Sequence, residues 1–324
     1  MGKLIRIGTR ESQLAVWQAT SVQQLLQQNN FSSELVLIKS EGDIDLQTPL
    51  YEMGVQGIFT RSLDVALLNN KIDIAVHSMK DVPTQLAGGI AQAAVLERAS
   101  YKDLFVYKPS GLSHENWLLI NDDPAAFEGQ FKLNSGSFTI ASSSIRRKAQ
   151  WLHRFPGHRI ENLRGNVNTR LKKVAENNWQ GAVFAAAGVE RIGLRPKHSI
   201  DLNWMLPAAA QGAIMVVARQ DDAFYLDACS HLNHEATAAC TKIERDFLRS
   251  LLGGCSTPIS ALAEIKEQQI SFKGNILSVD GTEKAEIEKI LPLHSPGLLG
   301  KIFAEEILQN GGQKIADGIR NATN

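Results

Sequence analysis

The stretch His77-Ser-Met-Lys80-Asp81-Val-Pro83 sets a lysine beside an aspartate just after a short β-branched run. An acid beside a lysine can protonate a leaving group and then stabilise the cation left behind. From composition alone the pair reads equally well as a surface ion pair. No second His or Cys stands at ligand spacing from His77, which suits a hydrogen-bonded structural residue better than a metal ligand. A second set is cationic. Arg146-Arg147 follow Ser142-Ser143-Ser144, Arg164 and Arg170 bracket Gly-Asn-Val-Asn-Thr, and Arg10 closes the first apolar run. Helix starts expose unpaired N–H groups and a partial positive charge. Arg adds a planar fork that meets carboxylate or phosphate through two parallel hydrogen bonds. Any one of these arginines alone fits a solvated helix face. Four at two adjacent helix starts, with Arg10, point to a polyanion site. A carboxylate 4 Å from one such charge gains roughly 4 kcal/mol at an effective dielectric of about 20.

The third set is Gly253-Gly254-Cys255-Ser256-Thr257-Pro258-Ile259. Two glycines after a helix end form a C-cap and clear space around the thiol, while Pro258 stiffens the chain beyond it. A thiol on a loop serves as a nucleophile or a covalent anchor. Cys229 and Cys240 read instead as small buried residues. Three cysteines at wide spacings make neither a disulfide framework nor a zinc pattern, and they fit a reducing compartment.

These groups need elements to hold them. From residue 4 to 98, short β-branched runs alternate with amphipathic helix patterns: strands at 4–8, 35–38 and 72–76, helices after Ser12 and over 59–68. Such alternation predicts a parallel sheet covered on both faces, with ligands at the carboxyl ends of its strands. The segments 9–12, 41–49 and 77–83 fall at such ends. A second alternating block covers 103–207, with a strand at 137–141, a helix over 145–152, a strand at 159–163, a helix over 166–174 and an apolar strand at 182–187. Glu97 to Lys102 is a hinge candidate, and Leu206-Pro-Ala-Ala-Ala-Gln-Gly-Ala213 reads as a second crossing into the strand 214–218. Two lobes joined by two crossings enclose a ligand site. From about 234 a long helix pattern ends at Gly253, and three strand-like runs and a last helix near 298–309 come after it, a small α+β domain. The expected architecture is therefore α/β in three domains: 1–98 with 213–230, 103–207, and 234–324.

Lys plus Arg and Asp plus Glu are 34 each over 324 residues, so the formal net charge is zero. That balance argues against a general nucleic-acid or anionic-membrane binder while leaving room for a locally basic cleft. No apolar run approaches the roughly 18 residues of a membrane helix, and the N-terminus lacks the apolar core of a secretory signal. A cytoplasmic location is the expectation.

Taken together, these stretches resemble the porphobilinogen deaminase family over nearly the whole chain. Arg6-Ile-Gly-Thr-Arg-Glu-Ser-Gln-Leu-Ala-Val-Trp-Gln18 is similar to that family's first strand, turn and helix. His77 to Pro83 and Leu163 to Arg170 are similar to its two most specific motifs. Ser143-Ser-Ile-Arg-Arg147, Gly253-Gly-Cys255 and Pro258-Ile259 complete the set in family order. The resemblance implies two lobes like those of periplasmic-type binding proteins, joined by a double crossover, and a third domain carrying a cofactor loop. It implies a dipyrromethane held by Cys255 through a thioether, and Asp81 as the group that protonates the departing amine of porphobilinogen. It also implies that Arg10, Ser12, Gln18, Phe59, Lys80, Ser142, Ser144, Arg146, Arg147, Arg164, Gly165, Arg170 and Arg191 bind cofactor and substrate. The activity implied is a transferase of haem-type tetrapyrrole biosynthesis, a monomer. It joins four porphobilinogens head to tail, releases ammonia and delivers hydroxymethylbilane.

The chain departs from the family at Gln56, where Lys is usual, and at Arg61-Ser62, where Lys-Glu is common; these changes bear on a contact from the glycine loop 54–58. Ala210 replaces a usual Gly, which stiffens the hinge, and Leu252 replaces a common acid. The main rival reading is a two-lobed polyanion-binding protein without turnover, which leaves Cys255 and Asp81 without a task. A cysteine-nucleophile acyl transferase is a second. The spacing of His and Cys gives no support to a metalloenzyme.

Overall fold

The computed structural model describes residues 3–39, 60–109, 113–132, 138–251, 257–293 and 297–323. The glycine loop with Phe59, the segment 41–49 and the cysteine loop with Cys255 lie outside them.

Three sheets divide the chain into two α/β lobes and an α+β domain. In the first lobe, β1 (Ile5–Thr9) leads into α1 (Gln13–Gln28), then β2 (Ser33–Leu37), α2 (Arg61–Leu68), β3 (Ile74–Ser78) and β4 (Ile90–Val95). The second lobe opens with β5 (Asp103–Tyr107), α3 (His114–Asp122) and α4 (Pro124–Lys132). It continues through β6 (Thr139–Ala141), α5 (Ile145–Arg154), β7 (Arg159–Glu161), α6 (Val167–Glu176), β8 (Gly181–Ala185), α7 (Ala186–Glu190) and β9 (Ser199–Asp201). The chain then returns through β10 (Ile214–Arg219), completing a first sheet of order β2-β1-β3-β10-β4, while the second runs β7-β6-β8-β5-β9. Helix α8 (Ala223–Ser230) covers the first sheet, with Tyr225, Ala228 and Cys229 buried in its core.

The sheets are mixed rather than parallel. β10 runs antiparallel to β3 and β4, and β5 antiparallel to β8 and β9. The reason lies in the crossings: β5 and β10 enter their sheets directly from the hinge, at the edge where the parallel strands end, and so run the other way. The two crossings touch where Gly212 adopts φ +89. A Cβ there would lie 2.6 Å from Ala99 O and 2.8 Å from Ser100 O, so only glycine permits this approach.

In the C-terminal domain α9 (Glu235–Leu251) buries Cys240, Ile243, Phe247 and Leu251 at helical spacing. It lies on an antiparallel meander of β11 (Ile259–Lys266), β12 (Gln269–Leu277) and β13 (Lys284–Pro292). Helices α10 (Leu299–Ile307) and α11 (Gln313–Thr323) complete the core around Phe247, Phe272 and Phe303. Among the described residues, no helix is long and apolar enough to cross a membrane.

Candidate active site

The parallel strands of both lobes end toward one another, and their first residues beyond the strand are those singled out above. Arg10 follows β1, and Ser12 caps α1, its Oγ accepting from Ala15 N–H at 3.4 Å. Gln18, buried on the same helix, donates through Nε2 to Ser78 Oγ at 3.0 Å, at the end of β3. Met79–Asp81 then form one 3-10 turn bearing Lys80 and Asp81.

In the second lobe, Ser142 Oγ accepts from Ser144 N–H at 3.3 Å, and Ser144 caps α5. That cap fixes the helix start, and Arg146 and Arg147 leave it toward Asp103, the first residue of β5. Arg146 Nη2 lies 2.7 Å from Asp103 Oδ2, with its Nη1 2.6 Å from Leu206 O. Arg147 places Nη2 2.7 Å from Asp103 Oδ1 and Nη1 3.0 Å from Val183 O. Asn166 caps α6. Just before it, Gly165 at φ +111 offers its carbonyl to Arg170 Nε at 2.7 Å, and Arg164 is buried alongside.

The electrostatics show which groups face each other. Burial pushes the Lys80 ammonium down to about 8; Arg147 and Arg146 add to the push, and Asp81 and Asp103 oppose it. Burial lowers Arg170 to about 10, with the charges of Arg147, Arg164 and Arg10 acting the same way and Asp81 against. Arg10 and Lys80 from one lobe therefore share a field with Arg147, Arg164 and Arg170 from the other. Two carboxylates act in the same field, Asp81 on both groups and Asp103 on Lys80. Desolvated cations drawn together from two lobes favour an anion between them.

Arg191 stands apart from this group. Its Nη2 donates to Gly212 O at 2.7 Å, and its guanidinium lies 5.6 Å from the Trp17 ring centroid, so it bridges α7, the hinge and α1. His77 is buried and held neutral: burial, then the charge of Arg10, lowers it to about 4. Among the described residues no group of three His, Cys, Asp or Glu side chains is placed to hold a metal ion.

Two residues of the site have no counterpart in the sequence reading. Asp103 is fully buried between the two arginines. Gln211 joins it to the turn bearing Lys80 and Asp81, with Nε2 2.9 Å from Asp103 Oδ1 and Oε1 3.5 Å from Lys80 Nζ. One signal was available for Asp103. A lone acid opening the apolar strand Asp-Leu-Phe-Val-Tyr needs buried cationic partners.

The chain matches two family models. "Porphobilinogen deaminase, dipyromethane cofactor binding domain" covers residues 5–227, and "Porphobilinogen deaminase, C-terminal domain" covers residues 238–309. The porphobilinogen deaminase of Syntrophomonas wolfei is 38% identical over 315 residues, 96% of this chain and 97% of that one. That of Carboxydothermus hydrogenoformans is 37% identical over 328 residues, 100% of each chain. Among solved structures, the methionine binding protein MetQ has a TM-score of 0.42 at 13% identity, covering 71% of this chain and 89% of that chain. With family models spanning both lobes and most of the C-terminal domain, and relatives aligned end to end, the chain belongs to the porphobilinogen deaminase family.

Proposed function

We propose that this protein condenses four porphobilinogens head to tail on a covalently held dipyrromethane, releasing ammonia and delivering hydroxymethylbilane, as a monomer in the cytoplasm. The observation that carries the reading is the cationic field gathered around Asp81 from both lobes. Each ring of the cofactor and of the growing chain brings an acetate and a propionate. A set of desolvated cations drawn from both lobes suits such a ligand, because carboxylates replace the solvation that burial removes. The cofactor would be tethered at Cys255 and held by Arg10, Lys80, Arg147, Arg164 and Arg170. Arg146, on Asp103 beside Arg147, adds its charge. When bound, the dipyrromethane supplies the pyrrole carbon that attacks the first substrate.

The protein's own groups then have distinct tasks. The arginines neutralise and orient the substrate's side-chain carboxylates, which holds the aminomethyl carbon within reach of its partner. Asp81 gives a proton to the departing amine as the C–N bond breaks with its electron pair going to nitrogen. The resulting carboxylate then faces the azafulvenium cation and the pyrrole N–H of the substrate. Lys80, beside it, binds a carboxylate and keeps the local field positive. Gln18 and Ser78 brace the strand from which the turn departs.

Intact-protein mass spectrometry tests the proposal together with ammonia release. The purified protein is expected to exceed its sequence mass by two linked pyrroles, and Cys255→Ser is expected to remove that excess. A bare polypeptide mass from an actively ammonia-releasing preparation would contradict the tether.

A further inference from the structure

Beyond the turn that bears Lys80 and Asp81, the carbonyls of Val82 and Pro83 accept no backbone N–H among the described residues. The turn's own bond runs from Val82 N–H to Met79 O at 3.2 Å, and Met79 N–H is taken by Ala213 O at 3.0 Å. Pro83 brings no N–H and breaks the strand-like continuation. Buried carbonyls in such a place require outside donors. The donor comes from the C-terminal domain. Arg245 of α9 places Nη1 2.9 Å from Val82 O and 3.4 Å from Met79 O, and Nη2 2.6 Å from Pro83 O. The residue is only 9% exposed, and it sits between buried Glu244 and Phe247 on the helix face turned inward.

We propose that Arg245 is a positioning residue for the reaction, holding the Lys80–Asp81 turn at a fixed place relative to the domain that carries Cys255. The inference rests on the function proposed above, in which Asp81 is the acid and Cys255 the tether. A planar guanidinium suits the task because its donors leave in fixed directions and its charge strengthens each bond. The turn is gripped from two sides: Gln211 and Ala213 of the second crossing on one, Arg245 on the other. Helix α9 then runs six residues from Arg245 to its last residue, Leu251, about 9 Å along its axis at the usual rise. Cys255 comes four residues later in sequence. One rigid helix therefore connects the clamp on the acid to the segment bearing the thiol.

The test compares Arg245→Met and Arg245→Lys with Thr241→Val. Thr241→Val removes a buried hydroxyl bond of the same helix, from Oγ1 to Thr237 O, without touching the turn. Each variant is assayed for bound dipyrrole by intact mass, for kcat and KM with porphobilinogen, and for melting temperature, at a temperature where all are folded. Arg245→Met is expected to retain the dipyrrole and to keep KM within about threefold, while kcat falls roughly 10- to 100-fold, with Arg245→Lys in between. Thr241→Val should lower the melting temperature and leave kcat unchanged. Should Arg245→Met not fold, Arg245→Lys carries the comparison, with faster amide exchange at Val82 as its second readout. Unchanged kcat in a folded Arg245 variant overturns the inference, as does a loss matched by Thr241→Val or a variant lacking its dipyrrole. An unsubstituted chain with neither dipyrrole nor ammonia release would instead overturn the functional reading beneath it.

Discussion

Arg147 grips Asp103 through two nitrogens on one oxygen, Nη2 at 2.7 Å and Nε at 3.0 Å from Oδ1. Arg146 takes the other oxygen at 2.7 Å, and Gln211 adds a bond to Oδ1 at 2.9 Å. Burial by itself would raise this carboxyl, but the two guanidinium groups outweigh it and hold Asp103 at about 2. Asp103→Asn would leave two buried cations without their counter-charge. A loss of about 3–5 kcal/mol in stability is expected, by analogy with other broken buried pairs. Urea unfolding checks this, and an unchanged midpoint with unchanged slope would show that the arginines do not depend on Asp103.

Asp81→Ala separates chemistry from folding. The side chain projects from a turn held by backbone bonds and by Arg245, so its loss should leave the melting temperature nearly unchanged. Ammonia release should fall by roughly 100-fold or more, the range expected for a positioned general acid. Near-normal release from this variant would remove Asp81 from its assigned role.

Lys80 gives the site a pH limit. Its folded value of about 8 lies below that of an exposed lysine, so its charged form is disfavoured by the fold. Below 8 the residue is protonated in both states and this penalty is fully present. Between 8 and the unfolded value the native state sheds its proton first, and the penalty fades as pH rises. Binding has the opposite trend, since a carboxylate ligand needs the ammonium. Affinity for porphobilinogen is expected to weaken as pH rises through 8, with proton uptake on binding above that pH. Calorimetry in two buffers of different ionisation enthalpy measures the uptake, and Lys80→Gln should abolish it.

How much of this was readable in sequence depended on range. Ser144 with Arg146-Arg147, and Asn166 with Arg170, lie within one helix start, so capping and charge could be read from neighbours. The 3.6-residue pattern of α9 was equally local. Asp103 meets Arg146 across 43 residues, and Arg245 meets Val82 across 163; no local periodicity encodes either pairing. The same limit explains the mixed sheets, because the direction of β5 and β10 is set by where the hinge delivers them. Helix α11 was missed for a different reason. Gly311-Gly312 look like a terminus, yet the chain kinks at Asn310 and Gly311 and resumes as helix.

Acid sensitivity should appear in two windows. His77 has its folded value lowered to about 4 by burial and the Arg10 charge, so protonation opposes the fold. Its contribution is intact above the unfolded value near 6.5 and is lost as pH falls from there to 4. Asp103, depressed to about 2, contributes above its unfolded value and loses that contribution as pH falls toward 2. Stability measured by urea from pH 7 to 4 should therefore decline, and His77→Gln should flatten that slope. A variant with the same decline would place the pH 4–7 loss elsewhere.

Ala210 stands in the left-handed region at φ 60, which favours glycine. Its N–H is fixed by Glu244 Oε2 at 2.6 Å, which holds the crossing in that conformation. An L-residue there costs roughly 1–2 kcal/mol. Its fully buried methyl returns about 0.8 kcal/mol, and the lower entropy of the unfolded chain returns about 0.4–1 kcal/mol more. The terms nearly cancel, which accounts for alanine being tolerated. Ala210→Gly should accordingly change the melting temperature little, while amide exchange across 208–213 quickens as the hinge gains conformations. Ala210→Val, with a branched side chain in the same region and the same packed surroundings, should destabilise by several kcal/mol. If glycine raised stability strongly, the strain at Ala210 would exceed what its burial offsets; if valine were neutral, the left-handed backbone would not be what the hinge requires.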